Sequence, residues 1–414
     1  MAEKRIAILV YCYPVAYSPT ILNTALYWAR QDYKVDLLID RYVFDEIEQQ
    51  HPLIKIMYCT KLPPVKKSAS DKTETEKSSP DKQVSGKPKS GINLSVYRDL
   101  YKSIFPQWLL QVRSYSRGIR TATVGKSYCF AIAFEPEALI AAGWSGLTAK
   151  YKSYYHSLEL YENNTFKNRL RRKLERKALK KTVFTVVQDE YRKEKLILDL
   201  GRTDLNVILS PVSMMGPALA DKSDYVYRKF NIPKEKKIIL YTGAFYSEAM
   251  IEEMANSTND PLWDKDWVLL LHGFCNSEFI LNNIRKNTRP EKIMLSLSNL
   301  SQNELDLLTS SAHIGLALYS QRNANLMFTI LSSGKIAQYA KCGLPVVLIS
   351  NPPTDEFIGK YRCGVALNNE SEICQGISLI LKDYERYRNN MLEAFRLKYD
   401  FETNYKPVAD YLLN

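Results

Sequence analysis

The sequence predicts an α/β protein made of two successive Rossmann-like halves, and three observations predict it. Strand-length apolar runs alternate with helix-spaced segments from the amino end as far as "NVILSPVSMMGP". The same alternation then restarts at "KKIILYTGAF". The length of 414 residues exceeds what a single hydrophobic core organises, which favours two domains. Repeated strand–helix–strand order of this kind forms a parallel sheet with crossover helices.

The elements follow in order. "KRIAILVYCYP" is a continuous apolar run, suited to a strand buried on both faces. The turn "VAYSPT" leads into "ILNTALYWARQ", where Ile21, Leu22, Ala25, Leu26 and Ala29 recur at helical spacing and Thr20 is placed to cap. "KVDLLID" and "IKIMYC" are further strands. Residues 61–91 break the pattern, because they hold no aromatic residue and are built from Lys, Ser, Pro, Asp, Glu and Thr. Such a stretch buries too little to offset its ordering entropy, so a disordered basic surface loop is expected. A phosphorylated or membrane-touching element is the alternative.

Order resumes with "YRDLYKSIFPQWLLQVRSYSRGIR", read as helix with a break at Pro106, and "YCFAIAFEPEALIAAGWSG", read as strand then helix. "YKSYYHSLELY" precedes a basic helix, 166–181, whose Phe166, Leu170, Leu174 and Ala178 are expected to point inward and its charges to water. "TVFTVVQ" is a strand, and "DEYRKEKLILDLG" a helix stopped by Gly201. The second half runs through "WVLLLHGF", "KIMLSLSNLSQNELDLLTSSAHIGLAL", "LSSGKIAQYAKCGLPVVLIS" and "CGVALNN" to a mostly helical end. The expected units are 1–214, 215–395 and a terminal segment 396–414.

Composition removes several function classes. The net charge of +12 suggests a nucleic-acid binder until it is located. Residues 61–91 carry eight Lys against four acids, and residues 166–181 carry nine Lys or Arg against one Glu. Those two segments hold the whole excess, leaving one basic loop and one basic helix on a neutral chain. The helix has no interleaved aromatics, so nucleic acid is not expected as a partner. The amino end shows no secretory apolar core, and no run approaches the roughly 18 apolar residues of a membrane span. Seven scattered cysteines without CxxC pairing read as reduced thiols in a cytoplasmic protein, with no metal site.

The chemistry concentrates in "LSSGKIAQYAKCGLPVV". A triphosphate loop needs a Gly five residues before Gly-Lys and a Ser or Thr after it, whereas Thr329 and Ile336 stand there. Instead Ser332 or Ser333 can cap a helix starting near Gly334. The open N–H groups and dipole of that helix, with Lys335, suit a diphosphate. A serine pair capping a purely structural helix is the alternative.

This stretch resembles the "S-x-K-x-x-E-Y-x-A-x-G-x-P-V-V" element of retaining GT-B glycosyltransferases of the family 4 type. "IILYTGAF", "VLLLHGF" and "SLSNLSQNELDLLTSSAHIGLALYS" are similar to the strands and loops of that family's donor domain. "RRKLERKALKKTVFTVVQDEYRKEKL" resembles a helix and strand of its first domain, and "YDFETNYKPVADYLL" its terminal helix, which crosses back to that domain. The resemblance implies a GT-B fold with two Rossmann-like domains facing across a cleft.

It also implies transfer of a sugar from a UDP-sugar or GDP-sugar to a sugar, lipid-linked or protein acceptor, with retention, no metal and no further cofactor. Ser332, Ser333, Gly334 and Lys335 would lie at the diphosphate, Gly243 would let the backbone approach it, and Gln338 would reach the ribose. His156 would face the transferred sugar, with Glu159 the nearest carboxylate and Thr20 on the acceptor or phosphate side. The chain departs from the pattern at Ile330, where the first paired Glu would stand, in the Arg and Lys missing from "GAFYSEAM", and in "YSPT" for a glycine pair. The alternatives are an inverting transferase or sugar-nucleotide epimerase using His156 or Glu159 as base, and a non-catalytic subunit. In a non-catalytic subunit helix 166–181 would contact a partner or an anionic lipid surface; the favoured reading is a peripheral contact at the inner membrane face that positions a lipid-linked acceptor.

Overall fold

The computed structural model describes residues 3–13, 15, 18–40, 51–60, 107–162, 164–287 and 291–414. The expected loop 61–91 and the break at Pro106 lie outside them. The described residues form two parallel sheets. The first contains β1 (Arg5–Val10), β2 (Lys34–Ile39), β3 (Ile54–Tyr58), β4 (Phe130–Phe134), β5 (Lys152–His156), β6 (Phe184–Val187) and β7 (Val207–Leu209). The second contains β8 (Lys237–Thr242), β9 (Trp267–His272), β10 (Ile293–Ser296), β11 (Ile314–Leu316), β12 (Val346–Ile349) and β13 (Gly364–Leu367). Their orders, β3-β2-β1-β4-β5-β6-β7 and β10-β9-β8-β11-β12-β13, follow one rule: each sheet grows outward one way from its first strand, then reverses. The expected pair of Rossmann-like sheets is therefore present.

The apolar runs form central strands because both of their faces are covered. Ile6, Ile8 and Val10 of β1 enter one core, while Ala7 and Leu9 enter the core on the other face. In β8, Ile239 and Tyr241 alternate with Ile238 and Leu240 in the same way. Each half also anchors the exit of its first strand with a buried tyrosine. Val10 N donates to Tyr115 Oη at 3.0 Å, and Thr242 N to Tyr339 Oη at 2.9 Å. Those hydroxyls satisfy amides that would otherwise be orphaned where the chain leaves the sheet.

The chain crosses between the sheets twice, and the two crossings run side by side. Met214 N donates to Tyr399 O at 2.8 Å, and Phe401 N to Met214 O at 3.0 Å. After the second crossing the helix Phe401–Leu413 buries Phe401, Tyr405, Val408, Ala409 and Leu412 in the core of the first sheet. Trp28 Nε1 donates to Tyr405 Oη at 2.9 Å, and Tyr405 Oη meets Tyr154 Oη at 2.8 Å. Burial of an apolar side chain of this size contributes about 1.5–3 kcal/mol, so the helix is firmly part of the first domain.

Two details of the helices differ from expectation. Helix Pro19–Arg30 has Ser18 at its N-cap position and Thr20 inside its first turn, 3% exposed. Pro19 fixes the start two residues earlier than a Thr20 cap requires, so Thr20 caps nothing. In the basic helix Phe166–Leu179, Phe166 is 67% exposed rather than inward. Arg171 and Arg172, by contrast, are buried, paired with Glu137 and with Glu175 and Asp199. The helix turns these two arginines into the protein because Glu137 and Asp199 of neighbouring helices, with its own Glu175, wait there.

Candidate functional site

In a doubly wound sheet a crevice opens at the carboxyl ends of the strands, where the strand order reverses. Here the reversals lie between β1 and β4 and between β8 and β11. The segments leaving those strands face one another: a Cβ added to Gly334 would lie 3.2 Å from Cγ of Pro19. The amino ends of the Pro19–Arg30 and Gly334–Lys341 helices thus meet across the two domains.

On the second domain, β8 and β9 end in glycines that touch through their backbones. Gly243 has φ +133° and Gly273 φ +154°. A Cβ on Gly273 would fall 1.7 Å from Gly243 O, so no side chain fits there. Above this contact stands Lys335, whose Cε would be 3.4 Å from a Cβ on Gly243. Its ammonium sits 3.5 Å from the ring centroid of Tyr241 and 5.0 Å from that of Tyr319. Desolvation in this aromatic cage, with no opposing carboxylate among the described residues, holds the lysine well below its ordinary range.

Helix Gly334–Lys341 begins at Ser333, but the expected side-chain cap is absent. Ser333 Oγ lies 3.1 Å from Tyr319 Oη instead, and Ser332 Oγ donates to Phe328 O at 2.5 Å. Among the described residues, the first-turn amides are consequently left without a side-chain acceptor, beside a lysine that no carboxylate pairs. That arrangement attracts an anion more strongly than a capped helix would.

Gln338 is not at this mouth. It is 2% exposed, accepts from Gln302 Nε2 at 3.0 Å and donates to Asp306 Oδ1 at 2.8 Å. The helix turn carries it inward against the helix Gln302–Ser311, so its amide is spent on tying two helices together. Ile330 is likewise core, 2% exposed.

On the first domain, β5 ends in His156, fully buried and stacked on Phe134 with centroids 5.0 Å apart. Neither ring nitrogen has a hydrogen-bond partner among the described residues, and burial pushes the imidazole down to about 3, so it is neutral at physiological pH. Glu159, three residues on, accepts from Tyr13 Oη at 3.4 Å, and burial raises its carboxyl despite the nearby Arg192. The Glu159 charge reaches across the cleft, where it acts on Tyr246 and Tyr319 of the second domain.

The sequence reading missed Glu135. It follows β4 at the strand-order reversal, is 1% exposed and adopts φ +71° without being glycine. Its Oε1 accepts from Leu158 N at 2.6 Å and Glu159 N at 3.1 Å, and its Oε2 from Tyr161 Oη. The one signal available was an acid followed by proline directly after a strand, "AFEPEA", a place where a helix start is expected.

Arg192 was missed too. From helix Glu190–Leu200 it donates to Leu158 O at 2.8 Å in its own domain and to Phe328 O at 3.2 Å in the other. Beside it lies a cavity of about 250 Å³ lined from both domains by Tyr161, Asn164, Asn323 and Asn325, among others. That cavity does not include Lys335 or the glycines.

No known family's sequence profile matches the chain, and no curated protein matches it by sequence. Solved structures do match over its whole length. Sucrose-phosphate synthase from Thermosynechococcus elongatus superposes with a TM-score of 0.69 at 12% identity, covering 99% of this chain and 98% of that one. Anabaena HepE, solved in complex with UDP-glucose, gives 0.68 at 11% identity and 99% of each chain. WaaG, a glycosyltransferase involved in lipopolysaccharide biosynthesis, gives 0.64 at 11% identity and 99% of each. These likenesses assign the GT-B fold.

Proposed function

We propose that this chain is a glycosyltransferase that takes a sugar from a nucleotide diphosphate sugar, with a UDP-sugar as the first donor to test. The observation that carries the reading is Lys335, an amine with no carboxylate partner among the described residues, standing between an uncapped helix amino terminus and the Gly243–Gly273 contact. A diphosphate entering there supplies the missing negative charge. As the bond from sugar C1 to the phosphate oxygen breaks, charge grows on the leaving group, and Lys335 with the amides of Gly334 and Lys335 stabilises it electrostatically. Ser332 and Ser333 border the same mouth. The first domain would receive the sugar and acceptor at His156 and Glu159, retention following if the departing phosphate takes the acceptor proton. Neutral, unpartnered nitrogens on His156 suit hydrogen bonding to a sugar hydroxyl better than ionic catalysis. That HepE was solved with UDP-glucose supports the choice of nucleotide.

Nucleotide-dependent melting tests the reading. UDP, GDP, ADP and CMP are each added to the wild type and to Ser333→Ala/Lys335→Ala. Saturation at a hundred times Kd stabilises a protein by about 2.7 kcal/mol. A rise with UDP that the double variant loses is expected. No rise with any nucleotide would favour a non-catalytic protein that has kept the fold.

A second reading concerns the acceptor. Lys167, Arg169, Lys173, Arg176 and Lys177 remain exposed on the Phe166–Leu179 helix, with exposed Phe166 at its start. A cationic face tipped with an aromatic ring suits an anionic bilayer surface, as a lipid-linked acceptor would require. Binding to phosphatidylglycerol vesicles that weakens with salt is expected, and no binding at low salt would remove this reading.

A further inference from the structure

Three side chains from separate elements converge on one short turn, residues 156–161. Glu135 holds it from below, its carboxyl group accepting from the backbone of Leu158 and Glu159 and bonded to the Tyr161 hydroxyl. Asn325 holds it from the other domain. Its Nδ2 donates to Leu160 O at 2.8 Å while its Oδ1 accepts from Leu160 N at 2.8 Å, so one carboxamide copies a strand partner. Arg192 completes the joint with bonds to Leu158 O on one side and to Phe328 O and Asn325 O on the other. The same turn begins at His156 and carries Glu159.

We propose that Glu135 is a positioning residue. It fixes the 156–161 turn in the one shape that both orders His156 and Glu159 at the end of β5 and receives Asn325, so that closing the domains and assembling the acceptor side are a single event. Assigning His156 and Glu159 a role rests on the transferase reading; the coupling of Glu135 to Asn325 does not.

The backbone supports this division of labour. A non-glycine residue held at φ +71° costs about 1–3 kcal/mol and persists only where its surroundings over-determine it. Glycine would remove that cost, yet only a side chain reaching back from β4 can supply acceptors to two consecutive amides of the turn. Without Glu135 those buried amides lose their partners, and Leu160 loses the fixed geometry that Asn325 needs at both atoms. Arg192 alone cannot replace it, since it binds carbonyls and leaves the amides open.

Hydrogen exchange of the full chain, followed in peptides covering 156–161 and 323–328, tests the proposal without any donor. Glu135→Gly accepts the backbone shape and removes the acceptors; Asn325→Ala removes the link from the other side. Each is expected to cut protection in both segments at least tenfold while β8 and β9 stay protected. Glu135→Gln, whose amide oxygen still accepts both N–H groups, should restore most of it. Wild-type protection of 323–328 in Glu135→Gly would overturn the proposal, as would a loss spread evenly over the first sheet in both Glu135 variants. UDP-induced stabilisation should survive in Glu135→Gly, because the phosphate mouth belongs to the second domain. If the wild type itself lacks that stabilisation, the transferase reading fails while the exchange result still decides the coupling.

Discussion

The Lys335 ammonium lies 3.5 Å from the Tyr241 ring centroid, with aromatic faces where a carboxylate would ordinarily stand. Such a cage holds a cation while leaving its charge available, since cation–π attraction returns only about 0.5–2 kcal/mol of a larger desolvation cost. Lys335→Met should therefore melt at or above the wild-type temperature in the absence of ligand. The same variant should show no UDP-dependent rise. A melting temperature several degrees lower would mean that the lysine stabilises the fold, contrary to the balance argued here.

Gly273→Ala should cost about 3 kcal/mol or more in chemical denaturation and abolish nucleotide stabilisation. Its Cβ would collide with Gly243 O in a backbone shape that side chains avoid. Gly359→Ala, in a helix with open space around the added methyl, should instead gain about 0.5–1 kcal/mol. Equal effects of the two substitutions would contradict the backbone contact.

His156 makes the fold acid-sensitive. The folded imidazole stays neutral down to about 3, whereas the unfolded one takes a proton near 6.5. Its stabilising effect is present above 6.5 and is lost as pH falls towards 3, by about 1.4 kcal/mol per unit. His313, also pushed down to about 3, adds the same slope. His156→Phe should halve the combined dependence measured by denaturation across that window.

Glu135 acts in the opposite direction. Burial raises its carboxyl to about 8 against the ordinary 4.5, with the Glu159 charge adding to the shift. The folded state keeps this proton longer than the unfolded chain, so the associated stability is full below 4.5 and is lost as pH rises to about 8. Glu135→Gln should remove that decline, seen as a flatter stability profile between those pH values. An unchanged profile would mean that the carboxyl is ionised throughout.

The two sheets were legible because buried parallel strands are written as continuous apolar runs, and "RIAILV", "KIILYT" and "WVLLLH" are such runs. The mouth proposed for the diphosphate was partly legible, since Ser333, Gly334 and Lys335 are adjacent in the chain. Gln338 was misplaced because helical phase, set by packing against Gln302 and Asp306, decides which face a residue joins. Phe166, Arg171 and Arg172 were misplaced for the same reason: polarity alone does not say where a partner acid waits.

By itself, the sequence determined the order of strands and helices, the doubling of the Rossmann-like unit and the place where Lys335 begins a helix. These follow from local periodicity and from residues close in the chain. Only the tertiary structure decided that Tyr241 and Tyr319 cage that lysine, that Gly273 leans on Gly243, and that Glu135, Leu160, Arg192 and Asn325 form one joint. Those contacts join residues from distant parts of the chain. Their geometry is set by how two separately wound sheets meet across a cleft, which no local pattern encodes.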